Sequence, residues 1–335
     1  MDKTDRSLCV CSYEDRPEAM DSLILMGESL CRADAHVSLH LTVPDAPPAV
    51  RAWAERRPEV VLRTERPEGV SGWNIKPWLL LQELNAGSSQ ALWLDDDIIV
   101  TRPVSALLDE FPRESLIVAE EWTSSTSTVE VSHFWNLPSA RPIPVFNNCF
   151  IRATQANRTM LERWHKMLHD PRYLDAQTLP FERRPIHLRH DGWPLIALLE
   201  SAEFSQVPFN CIRRGRHIAQ CAGSSGYRPH DRVLDLFRGL PPLIHGLGRK
   251  AWESQPNPSR LQHFLLDLAT DVSPYILAGR KVARELGMNP QLVEARTLTG
   301  AVLRGMTNGH PGMAGLPLAI LHAFHKKISQ ATNSG

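Results

Sequence analysis

Residues 91–103, ALWLDDDIIVTRP, constrain this chain more than any other stretch. Ala91, Leu92, Trp93 and Leu94 form an apolar run that stops at three consecutive aspartates, Asp95, Asp96 and Asp97, before Ile98, Ile99 and Val100 resume it. So short an apolar run, rich in Trp and β-branched residues, predicts a buried strand rather than a helix. Three carboxylates at its end repel one another, and burial makes their charged forms costlier still. A divalent cation relieves both problems, because carboxylate oxygens are its natural hard ligands. By strand alternation Asp95 and Asp97 point alike and can hold one metal between them, while Asp96 points away, toward a hydrogen bond or a ribose. A strand that ends in Asp-x-Asp reads as a metal site.

The segments before it alternate in type. Residues 7–12, 37–43 and 58–63 read as strands, and Pro17 opens a helix that runs to about Cys31. This rhythm predicts an α/β fold with a largely parallel sheet, whose ligands gather at the carboxyl ends of its strands. Tyr13 lies at such an end, where it can stack a nucleobase or serve as an ordinary loop tyrosine. Lys76 precedes Pro77 at the start of a short helix that Gly87 stops. The helix dipole does not favour a cation there, so Lys76 either meets an anion together with the free backbone N–H groups or is simply solvated.

Later segments add polar groups to apolar surroundings. A helix is expected over 104–111 and a strand over 115–120, followed by a polar loop, SSTST, at 124–128. Asn147 and Asn148 sit inside an apolar strand, a costly arrangement unless their amides bind sugar hydroxyls or cap neighbouring turns. Met160, Leu161, Trp164, Met167 and Leu168 recur at helical spacing. His165 and His169 share that helix, but Lys166 stands where a zinc protease needs its glutamate, so they read as ordinary helix-face histidines. Asp191 precedes an apolar helix and can be its N-cap. Arg213, Arg214, Arg216 and His217 form a basic loop cluster, either solvated or facing a phosphate. The segment 243–252, LIHGLGRKAW, joins an apolar strand to His245, two glycines, two cations and a tryptophan, a combination suited to a diphosphate. Beyond it, Asn257-Pro258, Ser273-Pro274 and Asn289-Pro290 each pair a good N-cap with proline, and 316–328 makes a fourth apolar helix that can pack on the sheet domain or touch a membrane surface.

Lys plus Arg equals Asp plus Glu at 37 each, so no overall field argues for nucleic acid. The six cysteines form no CxxC pair and read as buried reduced thiols. No signal segment is evident, and no run approaches the ~20 apolar residues of a membrane span. A soluble, cytoplasmic protein is the expectation.

In order and spacing these segments resemble the GT-A glycosyltransferases, specifically glycosyltransferase family 8, over about residues 7–252. Lys76 on its helix is followed by WLDDDIIV for the family's Asp-x-Asp, FNNCFI for its Phe-Asn-Ala-Gly, and HDGWPLIALL for its Asp-Gln before a helix. Pro208–Asn210 and IHGLGRKAW match its closing His-x-x-Gly-x-x-Lys-Pro-Trp. The resemblance implies a GT-A (Rossmann-like), mostly parallel sheet flanked by helices over residues 1–252, with a helical appendage over 253–335. It implies Mn²⁺ on Asp95, Asp97 and His245, and an imidazole beside two carboxylates favours Mn²⁺ over Mg²⁺. Asn147 and Asp191 would lie near the transferred sugar. Gly248 and Lys250 would contact the diphosphate, with Tyr13, Lys76, Asp96 and Asn148 also in the nucleotide-sugar site. Lys250 comes one residue early and the proline is missing, so Arg249 is expected to share that contact. Gly192 replaces the family's glutamine, so a retaining course is carried from the family alone.

The implied activity moves a sugar from a nucleoside-diphosphate sugar, UDP by family habit, to a hydroxyl on a glycan, a lipid-linked acceptor or a small molecule. Two rivals stand beside it. A phosphatase of the haloacid-dehalogenase type also uses Asp-x-Asp, but places its nucleophilic aspartate near the chain start, far from position 95. A non-catalytic nucleotide-sugar-binding module would keep the pocket without turnover.

Overall fold

The computed structural model describes residues 8–69, 72–121, 130–222, 226–247, 259–288 and 293–333. They divide into two compact units that interleave along the chain, one from residues up to 15, 36–95 and 108–212, the other from 16–35, 96–107 and 213 onward. The boundary expected near residue 252 lies outside the described residues.

The first unit holds a seven-stranded sheet of β1 (Leu8–Tyr13), β2 (Ser38–Thr42), β3 (Val60–Arg63), β4 (Gln90–Leu94), β6 (Leu116–Glu120), β7 (Phe146–Thr154) and β8 (Phe209–Ile212). Their spatial order is β3-β2-β1-β4-β7-β6-β8. The first four strands in that order run parallel, as does β6 with β8, while β7 is antiparallel to both of its neighbours. The sheet is thus mostly parallel, as expected, and the reversal at β7 was hidden because an apolar run carries no direction of its own. Between β6 and β7 the register slips, so that Val118 faces Ile151 and Ala119 faces Asn147. Residues 148–150 therefore leave the β6–β7 pairing, while Phe150 still pairs with Leu94 of β4. A bulge of this kind re-aims side chains, and here it falls on the asparagine pair.

One face of that sheet packs on α3 (Lys76–Asn85), α5 (Arg158–Leu168) and α7 (Gly192–Glu200), with Trp93, Ile151, Leu80, Trp164 and Leu195 all buried in the contact. The apolar stripe expected on α5 is the stripe that is buried. Pro77 sits in the first turn of α3, and Gly87 adopts φ +96° just past its end, a conformation that glycine enters without penalty.

The second unit is built on a three-stranded sheet, β5 (Ile98–Val100), β10 (Leu243–His245) and β9 (Ile218–Gln220), in the order β5-β10-β9. Helices α1 (Met20–Ala33) and α10 (Pro274–Glu285) contribute Leu25, Tyr275 and Ile276 to a core with Ile99 and Ile244. Gly279 lets α10 approach closely, since a Cβ there would lie 3.2 Å from Ile99 Cδ1. The helices α9 (Arg260–Asp271), α11 (Leu298–Met306) and α12 (Leu316–Asn333) complete the helical tail. A helix begins at Leu298, capped by the Thr297 hydroxyl, and the start expected at Asn289-Pro290 lies outside the described residues. Among the described residues no helix is long and apolar enough to cross a membrane.

Candidate functional site

The run 91–103 does not make one strand. Strand β4 ends at Leu94 in the large sheet, the aspartates form a turn, and β5 starts at Ile98 in the small one. The Asp95 N–H still donates to the Cys149 carbonyl (2.9 Å), which fixes where the turn begins. Its far end is fixed by β10, because His245 pairs in register with Ile98 and the Gly246 N–H donates to the Asp97 carbonyl at 2.9 Å.

That pairing carries the His245 imidazole to the Asp97 carboxylate, with Nε2 3.0 Å from Oδ1. Asp95 lies two residues before Asp97, so the chain itself sets their spacing. One ligand atom from each of Asp95, Asp97 and His245 lies within 4.8 Å of the others. Turn geometry, rather than the strand alternation expected, brings the two carboxylates together. Two hard oxygen donors and one imidazole fit a first-row divalent cation. Asp96, the middle aspartate, is buried and faces Arg16, whose Nη2 lies 3.6 Å from its Oδ1.

Asp95 also belongs to a buried polar group in the large sheet's unit. Its Oδ1 accepts from Trp93 Nε1 at 2.6 Å and sits 3.0 Å from Lys76 Nζ. The same ammonium lies 3.7 Å from Asp191 Oδ2, donates to the Asn148 carbonyl at 3.2 Å, and stands 5.3 Å from the centre of the Trp93 ring. Burial works against its charge, but the Asp191 and Asp95 carboxylates outweigh that cost and hold the Lys76 pKa well above the usual lysine value. Lys76 is therefore buried rather than solvated. It is a buried counter-ion that ties two acidic side chains together.

Asp191 precedes α7, yet its side chain makes no capping bond. The carboxylate instead accepts from Asn148 Nδ2 at 2.6 Å, and its backbone carbonyl accepts from Trp164 Nε1 at 2.9 Å. The buried lysine and the amide, rather than the helix N-terminus, hold the Asp191 carboxylate. Asn147 turns its amide oxygen to the Cys149 N–H (2.9 Å), a bond within its own strand. Tyr13 stands at the carboxyl end of β1 with its ring in the core and its hydroxyl donating to Asp15 at 2.9 Å. Gly248, Arg249 and Lys250 lie outside the described residues, as does the 124–128 loop.

Three neighbours escaped the sequence reading. His190 fills the space beside Asp191, where a Cβ on Gly192 would lie 3.1 Å from its imidazole. Burial, opposed by Asp191 and aided by Lys76, lowers its pKa. Trp93 is both the donor to Asp95 and the ring beneath Lys76. Tyr275, on α10, lies so close to Gly246 that a Cβ there would fall 2.7 Å from its ring. Burial and the nearby Asp97 and Asp96 carboxylates push its phenol upward, against the Ser22 hydroxyl bond. Gly192 and Gly246 signal close approach without naming what approaches, and no such signal marks Trp93.

No protein-family model and no curated protein matches the sequence. Similar solved structures include several glycosyltransferases. GlyE of Streptococcus pneumoniae gives a TM-score of 0.45 at 12% identity, over 88% of this chain and 66% of that one, so the chain spans about two thirds of GlyE's length. The galactosyltransferase LgtC, solved with donor and acceptor sugar analogs, gives 0.46 at 14% identity over 78% and 95%. Mouse xyloside xylosyltransferase 1 gives 0.44 at 15% identity over 75% and 99%.

Proposed function

We propose that the protein is a glycosyltransferase that uses a divalent cation and a nucleoside-diphosphate sugar, UDP-linked by family resemblance, to glycosylate an acceptor hydroxyl. The observation that carries this reading is the convergence of Asp95, Asp97 and His245 from a turn and a distant strand. Their donor set suits Mn²⁺, with Mg²⁺ the poorer match because of the imidazole. A cation held there offsets the charge that builds on a departing diphosphate.

The remaining work falls to the chain's own groups. Lys76 and Asn148 fix the Asp191 carboxylate, whose charge can face the electron-poor sugar carbon or orient a sugar hydroxyl. Trp93 and Lys76 share Asp95 Oδ1, leaving Oδ2 as the oxygen for a ligand. Asn147, Tyr13 and Asp96 belong to the proposed donor site by resemblance, together with Gly248, Arg249 and Lys250 against the diphosphate.

The test is a thermal-shift and ligand-hydrolysis screen of UDP-, GDP- and CDP-sugars with Mn²⁺, with Mg²⁺ and with EDTA. Stabilisation by one nucleotide-sugar, requiring Mn²⁺, with release of the nucleoside diphosphate is expected. Full turnover in EDTA defeats the reading, and binding without any hydrolysis or transfer points to a non-catalytic module. Phosphate release from simple phosphomonoesters would favour the phosphatase instead.

A further inference from the structure

The loop after the 124–128 segment, together with α5 and α6 (Pro171–Gln177), encloses a second feature that the proposed reaction does not use. A cavity of about 300 Å³ is lined by Trp135, Arg163, Lys166, His169 and Arg172 among its polar side chains, with Leu137 and Met167 supplying apolar wall. That volume lies at the lower end of the range for small-molecule sites, and a mostly apolar wall with a few polar groups is their usual make-up.

The charges in this cavity are unbalanced. Asp170 is its one acidic lining residue, and it is already committed, since Arg172 donates to it through Nε and Nη2, both at 3.0 Å. Arg163 and Lys166 pair with no carboxylate among the described residues, and Arg163 Nε is buried without a hydrogen-bond partner. The Trp135 indole is 8% exposed, and its Nε1 likewise has no partner. Buried donors left unmatched are costly, and a ligand that accepts from them removes the cost. The Arg172 guanidinium, which also lines the cavity, stands 5.4 Å over the Trp135 ring.

We propose that this cavity binds a small organic anion, its carboxylate or phosphate taken by Arg163 and Lys166, its apolar face against Leu137 and Met167, and Trp135 Nε1 as a further donor. The inference stands on the cavity and its unmatched cations. Only the choice of sugar probes rests on the sugar-transfer reading.

Calorimetric titration of the full chain with glucuronate, glucose 6-phosphate and glucose tests it without any metal or donor present. Saturable binding of one or both anions is expected, with a Kd below about 1 mM, and with no comparable binding of glucose. Binding of glucuronate alone, or of glucose 6-phosphate alone, supports the site and says which anion it takes. In Lys166→Glu, an exposed substitution, affinity should fall about tenfold or more, as expected for a lost bond to a charged group. Arg163→Gln should act likewise, and Lys166→Glu decides alone if that variant folds poorly. The proposal is overturned if neither anion binds, if glucose binds equally well, or if Lys166→Glu binds the anions unchanged.

Discussion

Among the described residues, two places gather three metal-type donors within 4.8 Å of one another, Cys9–His40–Glu83 and Asp95–Asp97–His245. Their geometry is alike and their charge is not. Glu83 is fully buried, but Arg63 Nη1 and His40 Nδ1 each lie 2.7 Å from its oxygens, and the Cys9 thiol sits 3.3 Å from Oε2. Burial, reinforced by Cys11 and Glu83, pushes that thiol far above its usual range, so it serves as a weak donor rather than a thiolate ligand. This cluster contains its own cation. At the aspartate turn Lys76 lies 3.0 Å from Asp95 but is already shared with Asp191, and the Asp95 side chain is 26% exposed, so an ion from solvent can reach it. Donor spacing marks both clusters, whereas charge balance and access single out the second.

The sharpest way to break that distinction is Asp97→Asn. Even residues that merely support a metal ligand cost about 10–100-fold when changed, so loss of a ligand should lower Mn²⁺ affinity and transfer rate by more than about a hundredfold. Calorimetry and initial rates measure it, with circular dichroism to confirm the fold. Unchanged Mn²⁺ binding in this variant would place the cation elsewhere. The counterpart, Glu83→Gln, should leave Mn²⁺ binding intact and instead destabilise the fold by about 3 kcal/mol, the lower end of the range for breaking a buried ion pair. The lower end applies because Arg63 is itself a third exposed. Urea unfolding of both variants separates the two clusters by what each one loses.

Protonation sharpens the same contrast. Burial opposes the Glu83 charge, but His40 and Arg63 outweigh it and bring its pKa down from 4.5 to about 2. A carboxylate whose folded pKa is depressed contributes stability that is fully present above its unfolded value and is lost as pH falls through the folded one. Glu83 should therefore support the fold above pH 4.5 and cease to do so as pH drops toward about 2. Wild-type stability should fall across that window, and Glu83→Gln should fall less steeply there. Parallel acid titrations of the two proteins would sink the assignment.

Much of the aspartate site was legible in the chain because its groups break a pattern. Charges ending an apolar run, amides inside a strand and a histidine beside glycines each violate local expectation, and such violations concentrate at functional sites. Partners were not legible. Nothing near Lys76 in sequence announces that it bridges Asp95 and Asp191, because that contact depends on helix α3 lying across the end of β4. Asp191 looked like an N-cap for a sound local reason, and only the fold reveals that the long-range lysine and amide win its carboxylate. Periodicity cannot show that the two apolar runs flanking the aspartates belong to different sheets. The Cys9 cluster was invisible altogether, since Cys9, His40 and Glu83 sit on separate elements with ordinary neighbours.

The smallest expected effect tests the comparison most closely. Cys9→Ser keeps a donor of similar size beside Glu83 and removes the sulfur that a metal would prefer. If Arg63 and His40 satisfy Glu83 as the distances indicate, the sulfur is a packing group, and the variant should lose no more than about 1 kcal/mol. It should also bind divalent metal in the same ratio per chain as the wild type. A wild-type protein that retains zinc through dialysis, and loses it in Cys9→Ser but not in Asp97→Asn, would show that Arg63 yields its place. Charge balance would then fail as the criterion that separates a working metal site from a closed ion-pair network, and the turn at Asp95–Asp97 would need independent support.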